Sequence, residues 1–202
     1  MSISLKNVSF SYGDTSVLQD VTWHLPDNGV VCLWGASGCG KTTALRLLAG
    51  LEKPTSGSVN GVRRVSMVFQ EDRLLPWRTA LENVLVTGVD EKTACDLLTE
   101  LGLTVEEAQA YPQHLSGGQQ RRVALARALA VESDILLLDE PFNGLDEGTW
   151  QDVAPLIKKV AQTRPVVLVT HVREQMEALE AQVISLGAAP QTGEWQAFDF
   201  LR

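Results

Sequence analysis

The sequence predicts an α/β fold with a mostly parallel β-sheet core, an antiparallel β part at the N-terminus and an inserted α-helical subdomain. The first third of the chain consists of short alternating segments separated by turn residues. Later strands are continuous apolar runs, typical of strands buried on both faces, and they alternate with segments of helical period. The stretch from about 79 to 130 has a mostly helical pattern. Alternating strands and helices form a parallel sheet with crossover helices.

The N-terminal elements follow from period and turn chemistry. Residues 3–10 and 17–25 alternate between apolar and polar side chains, and residues 11–14 between them predict a turn. Residues 30–34 are an unbroken apolar run that leads into a glycine-rich loop, and residues 42–51 then have helical spacing.

The later elements continue this alternation. Apolar spacing predicts helices at 79–86, 91–101, 105–110, 118–130, 148–162 and 173–179. Buried strands are predicted at 65–69, 134–138, 166–170 and 182–186. No repeat or linker interrupts the pattern, so residues 1–202 are expected to form a single domain.

Composition narrows the function classes. The 202 residues are 45% hydrophobic and 21% charged, the profile of a globular chain, and the net charge of −8 argues against binding nucleic acid. The apolar runs are far shorter than the roughly 20 residues of a spanning helix. The first residues lack the features of a signal peptide, and three cysteines without CxxC spacing suit reduced thiols, so a cytoplasmic location is expected.

A phosphate-binding loop lies between the predicted strand at 30–34 and the helix that follows. The segment fits the pattern G-x-x-x-x-G-K-[ST], and its residues are Gly35, Ala36, Ser37, Gly38, Cys39, Gly40, Lys41 and Thr42, with Thr43 next in the chain. Such a loop turns its backbone N–H groups towards phosphate oxygens. Lys41 is expected to reach the β- and γ-phosphates of a nucleotide and Thr42 to ligate Mg²⁺, which predicts a P-loop NTPase.

Two carboxylates, Asp139 and Glu140, follow the apolar run that ends at residue 138. Strand ends of a parallel sheet line the ligand crevice, so both acids are expected near the phosphate loop. Asp139 suits the Mg²⁺ shell, directly or through water, and Glu140 suits activation of a water that attacks the γ-phosphate.

A second helix start, at Leu115-Ser116-Gly117-Gly118-Gln119, is the most discriminating feature of the sequence. Ser116 is a natural N-cap, and the two glycines expose the helix N-terminus. A capped helix alone would explain Ser116 but not both glycines or Gln119.

Taken in order, these motifs resemble those of ABC ATPases, the nucleotide-binding subunits of ATP-binding-cassette transporters. The resemblance implies one ABC ATPase domain over residues 1–202, with the helical subdomain at approximately 71–130. It implies that Tyr12 stacks on adenine, that Gln70 senses Mg²⁺ and the attacking water, and that His171 contacts the γ-phosphate. Without the resemblance, Tyr12 reads as a turn tyrosine and His171 as a structural histidine.

The family resemblance also implies partners. Two ATPase subunits, identical or different, would meet head to tail, so that Ser116, Gly117, Gly118 and Gln119 close over the ATP of the neighbouring subunit. Asp146 matches the loop that faces the other subunit, although Asn143-Gly144 stands where Ser-Ala is usual. Transmembrane permease subunits and a substrate-binding protein are further expected partners, with the chain peripheral on the inner face of the cell membrane.

The segment after Gln70 narrows the subfamily. Phe-Gln-Glu-Asp-Arg-Leu-Leu-Pro-Trp, at 69–77, resembles ATPases of importers for nitrate, sulfonates, taurine and related small solutes. Leu74, Leu75 and Trp77 would suit a groove for a short helix of a membrane partner, or they pack inside the helical subdomain.

Other functions stay open at this stage. A short exporter-type cassette, such as a heme exporter, has a similar length. A non-transport ABC ATPase acting on DNA or ribosomes fits the chain length and acidic charge poorly, and a small-molecule kinase shares the phosphate loop but does not explain residues 115–119.

Overall fold

The computed structural model describes residues 2–196 and the backbone of residues 198–199. The strands are β1 (Ser4–Tyr12), β2 (Thr15–His24), β3 (Gly29–Gly35), β4 (Ser56–Asn60), β5 (Val65–Val68), β6 (Ile135–Asp139), β7 (Pro165–Val169), β8 (Gln182–Leu186), β9 (Gln191–Trp195) and β10 (Phe198–Asp199). The helices are α1 (Lys41–Leu48), α2 (Ala80–Leu85), α3 (Glu91–Glu100), α4 (Val105–Ala108), α5 (Gly117–Ala130), α6 (Glu147–Ala161) and α7 (Arg173–Ala178), with a 3₁₀ turn at Pro112–His114.

The strands form two sheets. The larger has the order β10-β8-β3-β7-β6-β5, and its strands are parallel except for β10. The smaller has the order β4-β1-β2-β9, with β1 antiparallel to both β2 and β4 and with β2 parallel to β9. This confirms the α/β class with a mostly parallel core and an N-terminal antiparallel part.

Alternate residues of the larger sheet enter two different cores. On β3, Val31 and Leu33 pack with α1 and the smaller sheet, whereas Val30 and Cys32 pack with the helices on the other side. Strands covered on both faces must be apolar at every position, which is why their sequences do not alternate.

The helical subdomain is inserted between β5 and β6 and contains α2 to α5. Capping boxes fix the starts of three of its helices, at Thr79 with Glu82, at Thr104 with Glu107 and at Ser116 with Gln119. Each predicted helix is present within a few residues of its expected bounds.

The sequence did not predict β4, β9 or β10. β4 is an edge strand of the smaller sheet, and apart from Val59 its residues are Ser, Gly and Asn, which are types depleted in strands. β9 follows a proline-containing segment and presents polar residues at three of its five positions. Within the described residues, no helix combines the length and the apolar character that crossing a membrane requires.

Candidate functional site

The phosphate loop connects β3 to α1 as expected. Gly40 is the N-cap of α1, with φ of 106°, and no side chain caps the first N–H groups of the helix. Gly35 is required by close approach, because a Cβ there would lie 2.5 Å from the carbonyl oxygen of Leu186. The uncapped helix start and the tight loop leave backbone donors available to an anion.

Lys41 lies inside the curve of this loop and is only 7% exposed. Its Nζ donates to the carbonyl oxygens of Gly35 at 2.8 Å and Ala36 at 2.9 Å, and it lies 3.7 Å from the buried Sγ of Cys39. These carbonyl groups of the loop therefore hold the ammonium group of Lys41 in place.

Thr42 and Asp139 meet across the base of the loop, where Thr42 Oγ1 donates to Asp139 Oδ2 at 3.1 Å. Burial is the main cause that raises the pKa of Asp139, and the neighbouring charge of Glu140 adds to it, while the Thr42 hydrogen bond opposes the shift. A buried carboxylate beside a hydroxyl oxygen is a ready partner for a hard cation.

Glu140 lies beside His171, with 3.2 Å between Glu140 Oε1 and His171 Nε2. Glu140 has φ of 49°, unusual for a residue other than glycine, and its N–H donates to the carbonyl of Val169 at 2.9 Å. This bond holds the turn at Glu140 against the end of β7, and backbone strain of this kind clusters at functional sites.

These residues line one cavity of about 310 Å³. Its walls also contain Tyr12, Ser37, Gly38, Gly40, Thr43 and Gln70. Tyr12 is 44% exposed, its ring contacts Phe10 edge-on at 4.8 Å, and its hydroxyl accepts a hydrogen bond from Arg46 at 3.4 Å. The phosphate loop, both carboxylates, Gln70, His171 and Tyr12 are thus brought together as the sequence predicts.

The donor set of the cavity fits Mg²⁺ bound together with a phosphate ester. Hydroxyl, carboxylate and amide oxygens come from Thr42, Asp139 and Gln70. The described residues contain no group of three or more His, Cys, Asp or Glu side chains arranged to hold a metal. Mg²⁺ commonly takes only one or two protein carboxylates and completes its shell with phosphates and water.

The signature segment does not line this cavity in the described chain. Ser116 Oγ accepts from the N–H of Gln119 at 3.2 Å, and Gln119 Oε1 accepts from the N–H of Ser116 at 2.6 Å. The Gln119 amide also donates to Glu107. The Gln119 side chain is therefore engaged within its own subunit, and at the helix start Ser116 and Gly117 are exposed while Gly118 is half-buried.

Gly118 marks a close approach between this helix start and the loop that precedes α6. A Cβ at Gly118 would lie 3.1 Å from the carbonyl oxygen of Gly144, whereas a Cβ at Gly117 would meet nothing within 4 Å. Asp146, in that same loop, caps α6 by accepting from the N–H and the hydroxyl of Thr149. These hydrogen bonds lower the pKa of Asp146.

Arg121 is a residue of the site that the sequence does not single out. It lies on α5, is 2% exposed, and forms a salt bridge of 2.9 Å from Nη1 to Asp72 Oδ1. Its guanidinium also donates to the carbonyl oxygens of Phe69 (2.6 Å), Gln70 (3.5 Å), Asp139 (2.9 Å), Glu140 (2.5 Å) and Pro141 (3.0 Å). Only its burial distinguishes Arg121 from the other arginines of α5, and burial is not visible in a sequence.

A family model described as "ABC transporter" matches residues 18–143, which is more than half of the chain. The chain belongs to the ABC transporter family. Curated relatives named aliphatic sulfonates import ATP-binding protein agree with this. One from Rhodococcus jostii is 44% identical, covering 91% of this chain and 78% of its own, and one from Zymomonas mobilis is 43% identical, covering 92% and 82%.

Solved structures of ABC cassettes share the fold. The dimeric cassette MJ0796 in a post-hydrolysis state with ADP and Pi has a TM-score of 0.81 at 32% identity, and a second dimeric structure of MJ0796 has a TM-score of 0.83 at 33% identity. Both alignments cover 96% of this chain and 96% of the other. The P-loop NTPase fold is confirmed, and this member of the family is an ATP-binding and ATP-hydrolysing subunit.

Proposed function

We propose that the chain is the ATPase subunit of an importer for aliphatic sulfonates or chemically similar small solutes. The observation that carries the catalytic part is the single cavity that holds Lys41, the Thr42–Asp139 pair and the Glu140–His171 pair. The substrate class is supported by the sulfonate-import relatives at 40–46% identity and by the segment after Gln70.

Each residue of the cavity has a distinct role in this proposal. The N–H groups of the loop from Gly35 to Thr43, together with Lys41, bind the phosphates of ATP, and Tyr12 stacks on the adenine. Thr42, Asp139 and Gln70 hold Mg²⁺, which neutralises charge on the phosphate oxygens. Asp139 acts directly or through water.

Glu140 is the general base of the proposed reaction. Its carboxylate takes the proton from the water that attacks the γ-phosphate, and His171 contacts that phosphate. Because His171 Nε2 lies 3.2 Å from Glu140 Oε1, each side chain restricts the orientation of the other. Gln70 lies in the same wall and orients the water.

The signature acts on a second subunit in this proposal. Ser116, Gly117 and Gly118 close over the ATP of the partner in a head-to-tail dimer, with the backbone of Gln119 completing the helix start. Asp146 belongs to the loop that faces the partner. Residues 115–119 do not line the described nucleotide cavity of their own subunit, which supports their action on the nucleotide of the partner subunit.

Permease subunits and a substrate-binding protein complete the proposed transporter, with the ATPase on the inner face of the membrane. Trp77 is 69% exposed and lies in the segment that follows Gln70, while Leu74 packs against the core. In this proposal Trp77 is the side chain of the segment that meets a permease, whereas Leu74 belongs to its packed part. We take residues 1–202 as a single ABC ATPase domain, with a helical subdomain at approximately 71–130.

The proposal is tested with the chain co-expressed with its permease and reconstituted in vesicles, with the substrate-binding protein added outside. Phosphate release and uptake of an aliphatic sulfonate, taurine or nitrate are measured with Mg-ATP inside. Lys41→Ala should abolish both activities, whereas the exposed-lysine control Lys53→Ala should retain them. ATP hydrolysis with outward transport, or stimulation by DNA or ribosomes instead of by a permease, would contradict the proposal.

A further inference from the structure

The guanidinium of Arg121 joins three separate parts of the chain. It belongs to the signature helix α5, and its donors reach the loop that carries Gln70 and the strand end that carries Asp139 and Glu140. The three guanidinium nitrogens all donate, and five of the six acceptors are backbone carbonyls. Backbone acceptors mean that the contact fixes the path of each segment rather than the orientation of one side chain.

A second arginine of α5 strengthens one side of this contact. Arg127 donates to the carbonyl oxygens of Asp72 and Arg73, each at 2.9 Å. Arg73 has φ of 48°, and its guanidinium lies 4.2 Å from the ring of Phe69. The loop after β5 is therefore tied to α5 at two points, but only Arg121 also reaches the end of β6.

We propose that Arg121 is a positioning residue that couples the place of the signature helix to the places of Gln70 and Glu140. This rests on the proposed function, in which α5 meets the nucleotide of the partner while Gln70 and Glu140 act on the nucleotide of their own subunit. A displacement of α5 then moves the backbone of both catalytic segments, because one buried, planar group spans them. Lysine cannot replace it, since an ammonium is a single point donor and cannot bridge the two segments as a fork.

The test compares Arg121→Lys with the parent in the assembled transporter. We expect kcat for ATP hydrolysis to fall about 10- to 100-fold, because small displacements of positioned groups cost rates of this order. KM for ATP should change by no more than about threefold, since Arg121 has no contact with the phosphate loop and the loss falls on the chemical step. Amide hydrogen exchange of the isolated subunit should become faster in 69–73 and 139–140.

Arg122→Lys is the matched control. Arg122 is the next residue of α5, and its Nη1 donates to the carbonyl oxygens of Leu101 and Gly102 inside the helical subdomain. It bridges no catalytic segment. We expect faster exchange around residues 101–102 and a kcat within about twofold of the parent.

Three results would overturn the inference: a kcat for Arg121→Lys within twofold of the parent, an equal loss of kcat in Arg122→Lys, or a loss of kcat with unchanged amide exchange in 69–73 and 139–140. Should Arg121→Lys fail to fold, Asp72→Asn weakens the same contact from the loop side. It should speed exchange in 69–73 and lower kcat more mildly, and no change in either would refute the coupling. A parent without ATPase activity contradicts the proposed function instead, and the exchange experiment still tests the contact.

Discussion

Replacement of Glu140 by glutamine removes the proposed base with little change of shape. The amide has the same size as the carboxylate, and its oxygen can still accept a hydrogen bond from His171 across the 3.2 Å that separates the two side chains. The fold and the phosphate loop should therefore be unaffected. What is lost is the ability to take a proton, a contribution of about 10²- to 10⁴-fold in rate for a positioned general base. At 1.36 kcal/mol per tenfold, the barrier rises by about 2.7 to 5.4 kcal/mol.

Three measurements separate binding from chemistry in Glu140→Gln. The rate of phosphate release should fall by about 10²- to 10⁴-fold. The affinity for a fluorescent ATP analogue should stay near that of the parent. Light scattering should show a dimer that accumulates with Mg-ATP. Glu177→Gln is the control, because Glu177 forms a salt bridge with Arg173 on α7 and does not line the cavity described above. Turnover of Glu140→Gln within threefold of the parent would refute the assignment of the base.

Further predictions concern stability and reactivity. Asp139→Asn should abolish turnover yet raise the melting temperature at pH 7, because burial raises the pKa of Asp139 and makes its charged form costly. Since this cost disappears once the carboxyl is protonated, the gain in melting temperature should shrink as the pH falls through the pKa of Asp139. A gain that stays constant with pH would contradict this explanation. Gly117→Ala should stabilise the subunit by about 0.5 kcal/mol in denaturant unfolding. Gly118→Ala should be less stable than Gly117→Ala, because its Cβ would lie 3.1 Å from the carbonyl oxygen of Gly144. Burial raises the pKa of Cys32 to about 12, so iodoacetamide at pH 8 should leave Cys32 unmodified in the folded protein, as mass spectrometry would show.

The parallel sheet could be predicted from sequence because strands buried on both faces have continuous apolar sequences. β6 and β7 are buried at every position, and their continuous apolar runs bound the strands to within a residue. β4 has no such apolar pattern, since four of its five residues are exposed and it is held by hydrogen bonds to β1. Edge strands of this kind depend on a partner strand rather than on their own side chains.

The site was predictable where side-chain type is itself the chemistry. Lys41, Asp139 and Glu140 could be proposed from the sequence because phosphate binding, metal binding and activation of water call for those groups at those places. The engagement of Gln119 with Glu107 and the carbonyl contacts of Arg121 were not predictable. Every residue has a backbone carbonyl, so the residue types that accept such hydrogen bonds cannot be recognised from the sequence.

The point of insertion of the helical subdomain determines which catalytic groups it can move. Its helices join the sheet through residues 69–79 and 131–134. The first connection contains Gln70, so a rotation of the helices acts on Gln70 directly. The second enters β6 at the end opposite Asp139 and Glu140, and β6 is paired on both sides within the sheet. A rotation of the helices therefore moves the backbone of Glu140 only slightly through β6. In the proposed coupling, the contact of Arg121 with the carbonyl of Glu140 supplies the shorter route, so the response of Glu140 to the helices would depend on this side chain.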